Sequence, residues 1–149
     1  MVSNIDEWAV VAERLMAFPP KSRTYQSIPV DRDRVLSFGD VVCDAEYPNL
    51  FAVLGDNLCG LFMIDEEWWS GRRVLIEMTF PPVEKICLAE FGDLMRLLDK
   101  IAEENNVDIV GFSMDGGVLK SKDRTANLFK RYGYEVLDNL TVIKSVKSA

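Results

Sequence analysis

Glu77 is a carboxylate set in an apolar run, Val74-Leu75-Ile76-Glu77-Met78-Thr79-Phe80. A carboxyl buried in such a run has its pKa raised by desolvation, which suits a general base working near neutral pH. The position also fits an outward-facing side chain on a half-exposed strand, or a partner of Arg72 or Arg73 across a sheet. Histidine is absent from the chain. That removes the commonest general base, the commonest zinc ligand and every Ser/His or Cys/His relay, so no metal and no hydrolase of the triad type are expected. The three cysteines, Cys43, Cys59 and Cys87, lie far apart with no CxxC pair. They read as reduced thiols of a cytoplasmic protein. Cys87 stands where a helix dipole would acidify it, but Glu84 and Glu90 flank it, and an inert core or boundary thiol is expected.

The remaining candidates bind rather than react. Trp68-Trp69 are adjacent, so on a strand they face opposite ways and at least one is exposed or covers an edge; exposed tryptophan is enriched at binding hot spots. The alternative is that both pack over the neighbouring hairpin as a lid. Gly116-Gly117 fits a phosphate-wrapping loop or a simple turn, and Ser113 a cleft wall or a solvent-facing position. A net charge of −7 argues against nucleic acid, whose phosphates need a basic face. No apolar run reaches the length of a spanning helix and no basic-then-apolar signal opens the chain, so no membrane partner is expected.

These residues need elements to hold them. With 149 residues, 48% hydrophobic and 28% charged, one domain covering 1–149 has enough chain to bury its own core. Asn4 and Glu7 make a capping box for a first helix whose buried face is Ile5, Trp8, Ala9, Ala12, Leu15 and Met16, stopped by Pro19-Pro20. Lys21 to Pro29 is polar and irregular. A short helix over Asp31–Phe38 follows with Gly39 as its stop, and Val41-Val42-Cys43 is left open between strand and helix. Leu50–Leu54 and Leu58–Ile64 flank Gly55-Asp56-Asn57 as a hairpin, and Asp65–Arg73 is a polar connection. Strand Val74–Phe80, closed by Pro81-Pro82, is followed by a helix from Leu88 whose apolar positions are Leu88, Phe91, Leu94, Met95, Leu98, Ile101 and Ala102. Asn105-Asn106 ends it before strand Val107–Met114, and strand, helix and strand predict two parallel neighbours. A short helix Ala126–Tyr132, ended by Gly133, leads to strands Tyr134–Leu137 and Leu140–Lys144 around Asp138-Asn139.

This order of elements resembles the acetyl-CoA-dependent N-acyltransferases of the GNAT superfamily. The segment Ala126-Asn127-Leu128-Phe129-Lys130-Arg131-Tyr132-Gly133-Tyr134 is similar to that family's A-x-x-L-Y-x-K-x-G-F signature, and order and pattern together span most of residues 50–144. The resemblance implies an α/β fold (an α+β mixed sheet), mainly antiparallel and flanked by helices. For an active member it implies acetyl-CoA as acyl donor and Glu77 as the base on an acceptor amine. Lys85 and Asn127 would contact the cofactor. The chain departs from the family at its pyrophosphate loop, R/Q-x-x-G-x-G/A. Taking Phe80-x-Pro82 for the family's V-x-P puts Lys85 near the arginine and Ile86, Leu88 and Glu90 at glycine-type places. Side chains there block the approach of phosphate to backbone, and a carboxylate repels it. The family's proton-donating tyrosine is replaced by Phe129, with Tyr132 three positions on as a partial substitute. The resemblance with these departures implies a degenerate member with no cofactor, acting through a protein partner or as a homo-oligomer. Small divergent proteins of this kind resemble ones in phage genomes, with structural or host-modifying roles. The alternative is an active N-acetyltransferase.

Overall fold

Helix α1 (Ile5–Met16) starts as its cap residues dictate. Asn4 Oδ1 accepts the Glu7 N–H at 2.9 Å, and the Glu7 carboxylate accepts from the Asn4 amide and the Ser3 hydroxyl. The computed structural model describes residues 1–17, 30–80, 85–113, 122–137 and 141–146. The expected features at Pro19-Pro20, Lys21–Pro29, Pro81-Pro82, Gly116-Gly117 and Asp138-Asn139 lie outside the described residues. On α1, Trp8, Val11 and Ala12 are buried. Ile5 was expected with them and is instead half exposed, because it lies in the first turn with only its tip against Gly39.

Asp31 caps α2 (Arg32–Ser37) by accepting the Arg34 N–H at 3.0 Å. Gly39 does not stop the chain there. It opens a further short helix, α3 (Gly39–Val42), which resolves the ambiguous Val41-Val42 as helical. Glycine is needed at 39 for space rather than for turning: a Cβ would sit 2.5 Å from Trp8 Cδ1. The Trp8 indole is fixed in that place by donating to the Val35 carbonyl at 3.1 Å.

Among the described residues six strands form one open sheet: β1 (Leu50–Leu54), β2 (Cys59–Glu66), β3 (Arg73–Thr79), β4 (Ile109–Ser113), β5 (Glu135–Leu137) and β6 (Thr141–Ser145). Their spatial order is β1-β2-β3-β4-β6-β5, antiparallel throughout except for the parallel pair β3–β4. That pair is joined by α4 (Leu88–Glu104), the crossover that a parallel connection needs. The fold is thus mixed α and β with a mainly antiparallel sheet, the coarse architecture expected. Helix α4 lays Phe91, Leu94, Met95, Leu98, Ile101 and Ala102 against Phe51, Phe62, Ile64, Leu75, Val110 and Phe112 of the sheet. Leu88, placed on that apolar face by its spacing, is 54% exposed instead, because it sits at the very start of the helix ahead of the sheet contact. Asn106, with φ of +52°, ends α4, and the Val107 N–H returns to the Ala102 carbonyl at 2.8 Å.

The opposite face of the sheet is covered over β1 and β2 by α1 and α3, through Trp8, Val11, Val42, Ala52, Cys59 and Leu61. The helix α5 (Lys122–Lys130) begins earlier than the apolar pattern suggests and adds Leu128 and Phe129 to the α4 side. Two boundaries also move at the next hairpin. β2 runs on to Glu66 and β3 starts at Arg73, so the connection is shorter than Asp65–Arg73.

Candidate functional site

The parallel pair comes apart at one end, and Glu77 stands there. Pairing of β3 with β4 ends at Ile76 opposite Gly111. On the other edge of β3, Leu61 pairs with Thr79 but Phe62 with Glu77, so Met78 is an extra residue in a β-bulge. A bulge bends its strand and re-aims the side chains beside it. The Glu77 carboxylate is half-buried and reaches across the gap to accept the backbone N–H of Ser113. Burial raises its pKa from 4.5 to about 7, and the Ser113 hydrogen bond only partly opposes this. Neither arginine pairs with it: Arg72 bonds Glu67, and Arg73 donates to the Asn105 carbonyl. A groove of about 510 Å³ runs past this point, walled by Val74, Ile76, Ile109, Gly111 and Ile143, with Glu77 and Ser113 also lining it. A carboxyl of this kind accepts or releases a proton near neutral pH.

The start of α4 is arranged differently from the sequence-based expectation. Glu90 does not point its charge at the helix N-terminus. Its Oε1 accepts the N–H groups of Asn57 and Leu58, at 2.8 and 2.7 Å, and so ties α4 to the β1–β2 turn. Burial raises its pKa, but the Leu58 and Asn57 hydrogen bonds, helped by the Arg14 charge, outweigh that and hold the carboxyl below its usual range. Arg14 of α1 grips the same turn from the other side, donating to the carbonyls of Gly55 and Asp56 at 2.9 and 3.2 Å. Gly55 admits this clasp because a Cβ there would meet Glu90 Oε1 at 2.4 Å. Nothing in the sequence announces the contact, since Glu90 and Asn57 are 33 positions apart.

Lys85 is exposed at this end, Ile86 is packed against the core, and Cys87 is an exposed boundary thiol at the helix cap position. The cleft between the β1–β2 turn and α4, about 480 Å³, is lined by Phe80, Leu94 and Leu97 with Glu90 and Asp93 among its polar groups. Asp56, Glu90 and Asp93 all line it, and carboxylates suit a nucleotide diphosphate poorly. Asn127 is exposed on α5 and Ser113 is exposed at the end of β4. Phe129 is buried in the core, its ring 4.8 Å from that of Phe112 and 5.4 Å from that of Phe91. Tyr132 is half-buried with its ring 5.3 Å from Phe91 and its hydroxyl over Gly92. The structure therefore does not gather the sequence candidates into one site. Glu77 and Ser113 meet; Lys85, Asn127 and Tyr132 lie on other elements.

Trp68 and Trp69 form the tip of the β2–β3 turn, and neither is a lid. Trp68 is 93% exposed and Trp69 61%. The turn beneath them is firmly built. The Glu67 N–H donates to the Arg72 carbonyl at 2.8 Å, the Glu67 carbonyl accepts from Gly71 at 2.8 Å, and Gly71 supplies the positive φ of +71° that closes it. The Glu67 carboxylate accepts from the Ser70 hydroxyl at 2.6 Å and the Arg72 Nε at 3.0 Å, and the Arg72 guanidinium lies 4.8 Å from the Trp69 ring centre.

Among the described residues no helix is long and apolar enough to cross a membrane, and no cluster of His, Cys, Asp or Glu is suited to a metal ion. Compared with models of known families, with curated proteins and with solved structures, the chain matches none.

Proposed function

We propose that this chain is a protein-binding module on a GNAT-like scaffold, one that does not transfer acyl groups, and that the Trp68–Trp69 turn is its contact surface. The observation that carries this reading is the 93% exposure of Trp68 on a turn whose backbone is pinned from within. Holding a large aromatic rigidly in water forgoes its burial in the monomer, and such residues anchor interfaces, where each covers roughly 150–250 Å². The scaffold part of the reading rests on the chain order of elements and on the Ala126–Tyr134 segment. In that segment a helix, Gly133 at φ of +84° and a strand follow one another, an order that supports the reading. Loss of transfer is supported by Phe129, committed to core packing, and by the carboxylates of Glu90 and Asp93 at the start of α4. The partner is another protein or a second copy of the chain. Replacing Trp68 by a photo-cross-linking amino acid tests this: a discrete protein adduct is expected on irradiation in extract. Irradiated protein with no adduct at this position contradicts the reading.

A second reading, an active N-acetyltransferase with acetyl-CoA as donor, is favoured by one feature, the Glu77 carboxyl at about pKa 7 beside a groove. It requires that millimolar acetyl-CoA raise the melting temperature, because a ligand that binds only the folded state stabilises it by mass action. No shift is expected here.

A further inference from the structure

The β2–β3 turn contains a guanidinium site that the chain fills itself. The Arg72 side chain lies against the face of Trp69 while its Nε donates to the Glu67 carboxylate at 3.0 Å. One planar cation is thus held by one indole and one carboxylate, the pair of attractions that favour arginine over other cations. One residue away, the same ingredients recur without the cation. Trp68 is 93% exposed, and among the described residues no cation lies over its ring. Asp65 and Glu66, exposed on opposite faces at the end of β2 just before the turn, are in no ion pair among the described residues. The start of β1 reaches the same end of the sheet, because Leu50 pairs with Met63. It brings the exposed Tyr47 with Asp44 and Glu46 from the loop before it. That end of the sheet carries aromatic and acidic residues, and its acidity complements a basic partner.

We propose that the Trp68 face of the β2–β3 turn, with Asp65 and Glu66, docks an arginine side chain presented by an extended basic segment of a partner protein. The proposal rests on the docking role given to this turn above and specifies the chemistry of what docks. The incoming guanidinium stacks on the Trp68 indole as Arg72 stacks on Trp69, and the β2 carboxylate on the same side, Asp65 or Glu66, supplies its charge partner. Only Trp68 is free for this, since Arg72 already occupies the neighbouring ring.

The test uses the full chain and a blocked peptide, acetyl-Gly-Arg-Gly-Arg-Gly-Arg-amide, against the same peptide with citrulline in place of arginine. Citrulline keeps the planar shape and loses the charge. The indole N–H resonance of Trp68 is followed by NMR at low salt and again at high salt. The arginine peptide is expected to shift that resonance and to bind about two- to fivefold tighter per engaged arginine than the citrulline peptide. High salt weakens the binding, as does the double substitution Asp65→Asn and Glu66→Gln. Trp68→Ala abolishes the difference between the two peptides, while Trp69→Ala leaves it in place. Equal binding of both peptides, or an arginine preference that survives Trp68→Ala, overturns the proposal. A silent Trp68 resonance combined with a protein adduct from the cross-linker at position 68 sinks the arginine specificity alone and leaves the docking surface standing. Arginine binding at Trp68 without any adduct would instead count against the wider functional reading.

Discussion

Replacing Glu77 by glutamine should flatten the stability of this protein between pH 4.5 and 7. The folded-state pKa lies near 7 against 4.5 for an ordinary glutamate, a gap set by burial at the end of the β3–β4 pairing. For an acid whose folded pKa is raised, the unfolded chain releases its proton first. Stability is therefore highest below pH 4.5, falls as pH rises, and has lost the whole contribution above pH 7. At roughly 1.4 kcal/mol per pH unit the gap is worth up to about 3 kcal/mol. In a domain of this size that corresponds to a change in melting temperature of roughly 6–12 °C. Glutamine preserves the acceptor for the Ser113 N–H and carries no charge, so Glu77→Gln should match the parent at pH 4.5 and exceed it at pH 8. Urea denaturation of both proteins across this range provides the measurement. Parallel pH profiles would refute the reasoning, because they would mean that Glu77 is ionised in water-like surroundings and that the gap between β3 and β4 is wet.

Glu90→Ala should destabilise by about 1–3 kcal/mol in urea melts, since it leaves the N–H of the buried Leu58 without its acceptor. Because the Glu90 pKa is lowered in the fold, its contribution should be present above the ordinary glutamate range and disappear as pH falls below it, a trend that Glu90→Ala removes. Gly39→Ala should cost about 1–3 kcal/mol and disturb the near-ultraviolet signal of Trp8, whose ring the new methyl would strike.

The periodic parts of this fold are legible in the sequence because their cause is local. The helical spacing of Phe91, Leu94, Leu98 and Ile101 and the apolar run from Val74 encode the unit that carries α4 between two parallel strands. Asn4 marks a helix start through its side-chain oxygen and Asn106 a helix end through its left-handed backbone, both local effects. What escapes is decided by partners distant in the chain. Gly39 looks like a stop signal, yet it is required by the indole of Trp8, 31 positions earlier. Glu90 looks like a charge at a helix start, yet the two N–H groups it serves belong to a turn formed on another element. The exposure of Ile5 and Leu88 has the same origin: a helical period shows which face is apolar but not where along that face the sheet begins. At the candidate site, the apolar run leaves Glu77 open between a buried carboxyl and an outward-facing one, and the Met78 bulge and the Ser113 contact that give it its half-buried place depend on register and leave no trace in the residue pattern. For Trp68-Trp69, adjacency reveals only that the pair is unusual; the Glu67, Ser70 and Arg72 bonds beneath it decide that the indoles face water.

The central claim, a contact surface at the tip of the β2–β3 turn, is tested most directly by the double substitution Trp68→Ala with Trp69→Ala. Both side chains lie mostly outside the core, so the variant should fold with a melting temperature within a few degrees of the parent. Its affinity for the protein cross-linked through position 68, measured by titration calorimetry on the purified pair, should fall by roughly 30-fold or more, the loss of at least one interface hot spot. A folded double variant that binds this protein as tightly as the parent would contradict the account.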